Sequence, residues 1–242
     1  MVVLVTGSSK GIGRATIKKF AKEGYDVVIN YNNSEKEAFE LQKEIEKYNV
    51  KSMVVECDIT DEEQVKYMVD KVVKNFKTID VLVNNAGIAI DTTFEDKTVS
   101  NFRRTLDVNL IAPFVLSRLV GDIMYKNKKG TIINISSTNG IDTTYPESLD
   151  YDASKAGLIS LTHNLAKQYA PYVRVNAICP GWVNTPMNEA LDKKFKKEEE
   201  SKILLQRFAK PSEIADAIYN ISISTYINDS IIRVDGGERP WK

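Results

Sequence analysis

The apolar run Val2-Val3-Leu4-Val5 passes directly into Thr6-Gly7-Ser8-Ser9-Lys10-Gly11-Ile12-Gly13, and that into a stretch of helical periodicity. No other feature limits the fold so sharply. Glycines at 7, 11 and 13 admit backbone conformations and close approaches that a Cβ would block. A strand that enters such a turn and a helix that leaves it open a βαβ unit. The helix N-terminus then presents unpaired N–H groups and a partial positive charge to phosphate oxygens. The spacing, Gly-x-x-x-Gly-x-Gly, is neither the Gly-x-Gly-x-x-Gly dinucleotide fingerprint nor the P-loop.

The same alternation runs along the rest of the chain. After residues 2–6, short apolar runs at 26–31, 51–57, 80–84, 131–136, 173–178 and 230–234 read as strands. Amphipathic segments at 12–23, 34–48, 61–76, 101–125, 151–170 and 212–223 read as helices between them. Seven strands separated by helices predict one α/β domain, a parallel, doubly wound sheet with helices on both faces. A length of 242 residues suits a single domain of this kind. There is no internal repeat and no linker. Residues 187–201 stand apart as polar, and 193–200 are almost wholly charged. The charges suit a solvated helix face; the position, just after Pro180-Gly-Trp-Val-Asn-Thr-Pro186, also suits a mobile lid.

Lys plus Arg and Asp plus Glu both number 33. That balance argues against broad electrostatic capture of nucleic acid or of an anionic membrane. No apolar run approaches the roughly 20 residues of a membrane span, and no signal-peptide pattern opens the chain. Cys57 and Cys179 form neither a metal-ligand pattern nor a disulfide framework, and no metal site is expected. His163 reads as a surface or packing residue. The expectation is a soluble, cytoplasmic protein.

Tyr151-Asp-Ala-Ser-Lys155 lies at the start of a predicted helix. A phenol and an ammonium four residues apart share one helix face, with Cβ atoms about 5–6 Å apart. A nearby cation favours the phenolate and lowers a pKa that otherwise stands near 10. Most Tyr-x-x-x-Lys pairs are solvated faces, so the weight comes from the companions. Thr6–Gly13, Asn84-Asn85-Ala86-Gly87, Val108-Asn109, Asn134-Ile-Ser136-Ser137, Tyr151–Lys155 and 180–186 occur in that order.

Together these motifs resemble the short-chain dehydrogenase/reductase family in its single-domain form, over essentially the whole chain and through Arg233-Val-Asp-Gly-Gly237. The resemblance implies a Rossmann-type sheet and an enzyme that moves a hydride between NAD(P)(H) and a carbonyl or secondary alcohol. It implies that Tyr151 is the general acid–base, that Lys155 tunes it and binds the nicotinamide ribose, and that Ser137 is the catalytic serine, with Ser136 the runner-up. Asn109 matches the fourth member, which holds a helix backbone and a water near Lys155. For the cofactor it points to Gly7, Ser9, Lys10, Gly11, Ile12 and Gly13 in the loop. Asn85, Ala86 and Gly87 lie on the adenine and ribose side, Asp58 and Ile59 at the adenine, and Pro180, Gly181, Val183 and Thr185 at the nicotinamide amide. The resemblance also implies a homotetramer built on the helices at 101–125 and 151–170.

NAD-specific members usually end the second strand with an acid. Here that strand ends Asn30-Tyr31-Asn32-Asn33, and Lys10 adds a cation nearby, so NADP(H) is expected over NAD(H), with Asn30, Asn32 and Ser34 as neutral donors. The pattern is similar to 3-oxoacyl-carrier-protein reductases, which makes a small carbonyl compound, free or carrier-protein-bound, the expected partner. Against the carrier protein, the stretch 169–172 lacks the arginine such reductases often carry, although 126–129 keeps three lysines. The loop at 138–150 holds Asp142, Glu147 and Asp150, more acid than an acyl tunnel suggests, so a sugar or polyol stays open. A non-catalytic dinucleotide-binding redox sensor is the alternative of another class.

Overall fold

The computed structural model describes residues 1–189 and 191–238. Seven parallel strands form one sheet in the order β3-β2-β1-β4-β5-β6-β7. They are β1 Val2–Val5, β2 Asp26–Tyr31, β3 Ser52–Glu56, β4 Val81–Asn84, β5 Gly130–Ile135, β6 Val173–Pro180 and β7 Ile231–Val234. The helices are α1 Gly11–Lys22, α2 Glu35–Ile45, α3 Glu62–Phe76, α4 Val99–Leu106, α5 Ala112–Lys126, α6 Leu149–Tyr169, α7 Lys193–Lys202 and α8 Pro211–Ile223. The chain starts in the middle of the sheet, builds outward to β3, and returns through β4 to build the other half. Order therefore reverses between β1 and β4, and the crevice above their C-terminal ends is where open α/β sheets bind ligands.

Successive residues of a strand face opposite sides. In β1, Val2 and Leu4 join a core with α3, α5 and α6. Val3 and Val5 join a second core with α1, α2 and α8. Both faces are covered, so the strands read as continuous apolar runs rather than alternating ones.

The main departure from the sequence reading is in 101–125, expected as one plain helix. It is α4 and α5 joined by a π-helical turn, Asp107–Ile111. Pro113 follows that turn and has no N–H for the carbonyl of Asn109, four residues earlier. Insertions of this kind gather at functional sites, and this one carries Asn109. The continuous helix, Val99–Lys126, is long and apolar enough to cross a membrane by length and composition alone, contrary to the expectation that no run approaches that length. More than half of its apolar window, 56%, is buried within the fold, so packing against the sheet accounts for its character. Strand and helix ends otherwise differ by at most two residues, except that α2 ends at Ile45 and a 3₁₀ turn, Glu46–Tyr48, completes the stretch expected to reach 48. Asp61 caps α3 by accepting from the N–H groups of Glu63 and Gln64 instead of starting it.

Candidate active site

Gly7 and Gly11 take left-handed φ values of 59° and 55°. The loop they shape is tied from below. The Gly7 N–H donates to Asn30 Oδ1 at 3.0 Å, and Asn85 Nδ2 donates to the carbonyls of Thr6 and Gly7 at 2.9 and 3.1 Å. The Thr6 hydroxyl accepts from the N–H groups of both Asn85 and Ala86 at 3.0 Å. A Cβ on Gly13 would lie 2.5 Å from Asn85 Nδ2 and 2.7 Å from the Gly7 carbonyl oxygen, so only glycine lets α1 and the Asn85 turn close on the loop. No side chain caps the first turn of α1, and no acid stands in it. Its free N–H groups open on a cavity of about 520 Å³, which fits the pyrophosphate of a dinucleotide.

At the far end of this cavity the structure corrects the role expected of Asn30. Asn30 lines the cavity, but it is 2% exposed and its amide is occupied. Besides accepting from Gly7, it donates to the carbonyls of Tyr31 and Cys57 at 3.3 and 3.2 Å. It shapes the loop and has no donor to spare for a phosphate. Ser9 and Ser34 share a hydroxyl contact of 2.8 Å at the same rim. Lys10 pairs with Glu37 at 2.8 Å, a carboxylate the sequence reading did not place there. Asp58 lies beside Ile59 in the wall. Burial opposes its ionisation, but the Thr60 N–H and hydroxyl, at 2.9 and 2.7 Å, outweigh burial and hold its carboxyl below the usual range. Arg104, also unforeseen, reaches into the wall from α4.

The other end gathers Ser137, Tyr151 and Lys155. Tyr151 and Lys155 sit one turn apart on α6, with Lys155 Nζ 5.4 Å from the centre of the phenol ring. Nζ donates to the Ile135 carbonyl at 2.8 Å, which aims it into the crevice from the end of β5. Gly87 lies alongside, where a Cβ would stand 3.3 Å from Asn109 Oδ1 and 3.4 Å from Nζ. Both serines line the cavity, but their bonds differ. Ser136 donates to the Lys155 carbonyl at 2.9 Å. Ser137 borders both this cavity and the next, its hydroxyl engaging Asn139 at the start of the following turn.

The expected lowering of the tyrosine by the lysine is not found in the chain alone. Burial pushes Tyr151 up to about 12, the Ser137 hydroxyl opposing it in part. Burial likewise brings Lys155 down to about 8. Desolvation disfavours both charged forms and is the largest influence on each.

All the expected cofactor and catalytic residues line this cavity except Gly13 and Asn109. Gly13 acts through close packing. Asn109 is fully buried; its side chain clamps Ile88, accepting from the N–H and donating to the carbonyl, both at 2.9 Å, and donates to Ser154 Oγ at 3.0 Å. It fastens the turn after β4 to α6.

Residues 1–196 match the short chain dehydrogenase family. The chain belongs to that family. A short chain dehydrogenase is an oxidoreductase, and membership implies a nicotinamide dinucleotide cofactor. The 3-oxoacyl-[acyl-carrier-protein] reductase of Thermotoga maritima is 39% identical over 239 residues, 98% of this chain and 96% of the relative. The reductase of the same name from Aquifex aeolicus is 36% identical over the same shares. Among solved structures, a putative gluconate dehydrogenase from Agrobacterium tumefaciens superposes with a TM-score of 0.93 at 30% identity, over 98% of this chain and 95% of that one. Levodione reductase gives 0.91 at 30% identity, over 98% and 96%.

A second cavity of about 530 Å³ adjoins the first across Ser137, Tyr151 and Gly181. Tyr145, Trp182 and Phe195 form an aromatic wall, Trp182 meeting the other two edge-on at 5.9 and 5.8 Å. Behind it Glu199, 2% exposed, accepts from the Tyr145 hydroxyl at 2.8 Å, Trp182 Nε1 at 3.2 Å and Lys202 Nζ at 2.6 Å. The charged stretch expected as a solvated face or a lid is thus α7, with an exposed side and one buried acid pinning it to the cavity wall; residue 190 of that stretch lies outside the described residues.

Proposed function

We propose that this chain is an NADP(H)-dependent oxidoreductase that interconverts a carbonyl and a secondary alcohol. The observation that carries the reading is that Ser137, Tyr151 and Lys155 meet at one end of a cavity whose other end is a phosphate cradle. Gly7, Ser9, Gly11 and Ile12 hold the pyrophosphate, Asp58 and Ile59 the adenine, and Asn85, Ala86 and Gly87 the adjoining ribose. Lys155 holds the nicotinamide ribose, and Pro180, Gly181, Val183 and Thr185 hold the amide. The bound nicotinamide supplies or accepts the hydride.

Ser137 and Tyr151 donate hydrogen bonds to the substrate oxygen, where negative charge grows during reduction. Tyr151 then gives that oxygen its proton, and takes it back in the oxidation direction. Burial keeps the phenol protonated, the form reduction requires. The Lys155 cation stabilises the phenolate left behind. Asn109 keeps the Ile88 turn and α6 in register.

Preference for NADP(H) is supported by Lys10 and by the lack of an acid at the end of β2. Two substrate classes have support. The relatives' names favour a 3-oxoacyl thioester; the acidic lining of the second cavity favours a small polyol or hydroxyketone. Oxidation of NADPH by a panel of ketones, acetoacetyl thioesters and ketoses tests the reading. Turnover of at least one class is expected, with NADPH favoured over NADH by about tenfold, or about 1.4 kcal/mol. Tight cofactor binding without turnover across the panel would instead mark a redox sensor. A cytoplasmic homotetramer is part of the proposal, supported by the apolar side chains Ile111, Phe114 and Tyr125 exposed on the α4–α5 helix. A monomer by light scattering at micromolar concentration would contradict it.

A further inference from the structure

The second cavity has four carboxylates on its wall, Asp91, Glu147, Asp192 and Glu238, and among its described lining residues no lysine or arginine. Three of the four have other work or other surroundings. Asp91 accepts from the Ser148 hydroxyl at 2.6 Å. Asp192 caps α7, accepting from Lys194 and Phe195. Glu147 is exposed at the rim.

Glu238 differs. It is 8% exposed. One oxygen, Oε2, accepts from the Thr138 hydroxyl at 3.2 Å. Among the described residues the other, Oε1, has no hydrogen-bond partner. Thr138 follows Ser137, so the carboxylate stands next to the hydroxyls that face the reacting oxygen. Its backbone is held by a bridge to Ile203. The space it fills exists because residue 181 is glycine, where a Cβ would come within 2.7 Å of Oε2. Glu238 lines the cavity, so among the described residues its second acceptor is left to water until a ligand donates to it.

We propose that Glu238 selects the substrate by accepting a hydrogen bond from a hydroxyl carried beside the reacting carbonyl, and that it turns away compounds bearing a carboxylate there. This rests on the carbonyl-reducing reading above. The substrate class is then a small, neutral hydroxycarbonyl compound, its C–H skeleton covered by Tyr145, Trp182 and Phe195. Burial, which raises the Glu238 carboxyl, agrees with a group that meets little water.

Three ketones of nearly equal size separate the outcomes: hydroxyacetone, butanone and pyruvate, each reduced with NADPH by the wild type, Glu238→Leu and Glu238→Gln. The wild type should favour hydroxyacetone over butanone in kcat/KM. Glu238→Leu should cut that ratio about tenfold, the size of one hydrogen bond to a charged group. Glu238→Gln, which keeps the volume, should raise pyruvate relative to butanone about tenfold by removing like-charge repulsion. A wild type that handles butanone as well as hydroxyacetone overturns the proposal without any variant. So do unchanged ratios in both variants, while leaving carbonyl reduction standing. Reduction of none of the three ketones by a wild type that binds NADPH overturns this proposal, and the carbonyl reading falls with it only if acetoacetyl thioesters and ketoses are refused as well.

Discussion

The two ends of the crevice are built in different ways. The phosphate cradle comes mainly from one contiguous unit, β1, the glycine loop, α1 and β2, with the Asn85 turn laid across it. Its working groups are backbone N–H groups and small residues, held by backbone-directed hydrogen bonds. The substrate end is assembled from the turn after β5, the start of α6, the loop after β6, α7 and the segment after β7. There the working groups are side chains, and the bond from Thr138 to Glu238 joins residues 100 apart in the chain. In the proposed function the first end recognises what every dinucleotide has in common, for which a local backbone pattern suffices, and the second distinguishes one small molecule from another, which takes side chains from many places.

If that division holds, damage at each end should show in a different measurement. The largest effect belongs to Tyr151→Phe. It removes only a hydroxyl and should lower turnover by about 10²–10⁴-fold, the usual worth of general acid–base help, with the thermal melt little changed. At the other end, Gly13→Val should weaken NADPH binding about 10–100-fold, since overpacking of this kind costs about 1–3 kcal/mol; a fluorescence titration reads it directly.

Lys155→Met sharpens the comparison through pH. Lys155 stands at about 8 in the fold against an ordinary 10.5. Below pH 8 folded and unfolded chains both carry the charge, and the fold bears its burial. Above pH 8 the folded chain releases the proton while the unfolded chain keeps it, so this group makes the cofactor-free protein more stable as pH rises. The clean window runs from about pH 8 to 9, before Cys57, Cys179 and Tyr151, all raised by burial, pull the other way. Urea unfolding should show the wild type gaining on Lys155→Met across that window. The variant should be the more stable at neutral pH, by on the order of 1–3 kcal/mol. The smallest effect is at the adenosine rim. Glu37→Gln frees Lys10 from an exposed pair and should raise the NADPH-over-NADH preference only a few-fold, since such pairs contribute about 0.2–1 kcal/mol.

What could be read from the sequence follows the same line. The alternation of apolar runs and amphipathic segments sufficed for seven parallel strands, because a doubly covered sheet leaves no other place for them. The glycine loop was legible because Gly7, Gly11 and Gly13 answer to local backbone geometry. Tyr151 and Lys155 were legible because a helix fixes their spacing. Asn30 was misjudged as a donor, since nothing local shows that Gly7, Tyr31 and Cys57 consume its amide. Glu37, Glu199 and Glu238 were passed over as ordinary charges. Each takes its meaning from a partner or a cavity wall that only the folded chain supplies. The π-helical turn at Asn109 had one visible sign, Pro113 inside a helical pattern, which went unused.

The central claim is that the cradle binds and Tyr151 reacts. Titration of NADPH into Tyr151→Phe, alongside its turnover, tests that most directly. The expected result is an affinity within the worth of one neutral hydrogen bond, about tenfold at most, in a protein that has lost nearly all turnover. Turnover near that of the wild type, or an affinity that falls in step with turnover, would contradict it.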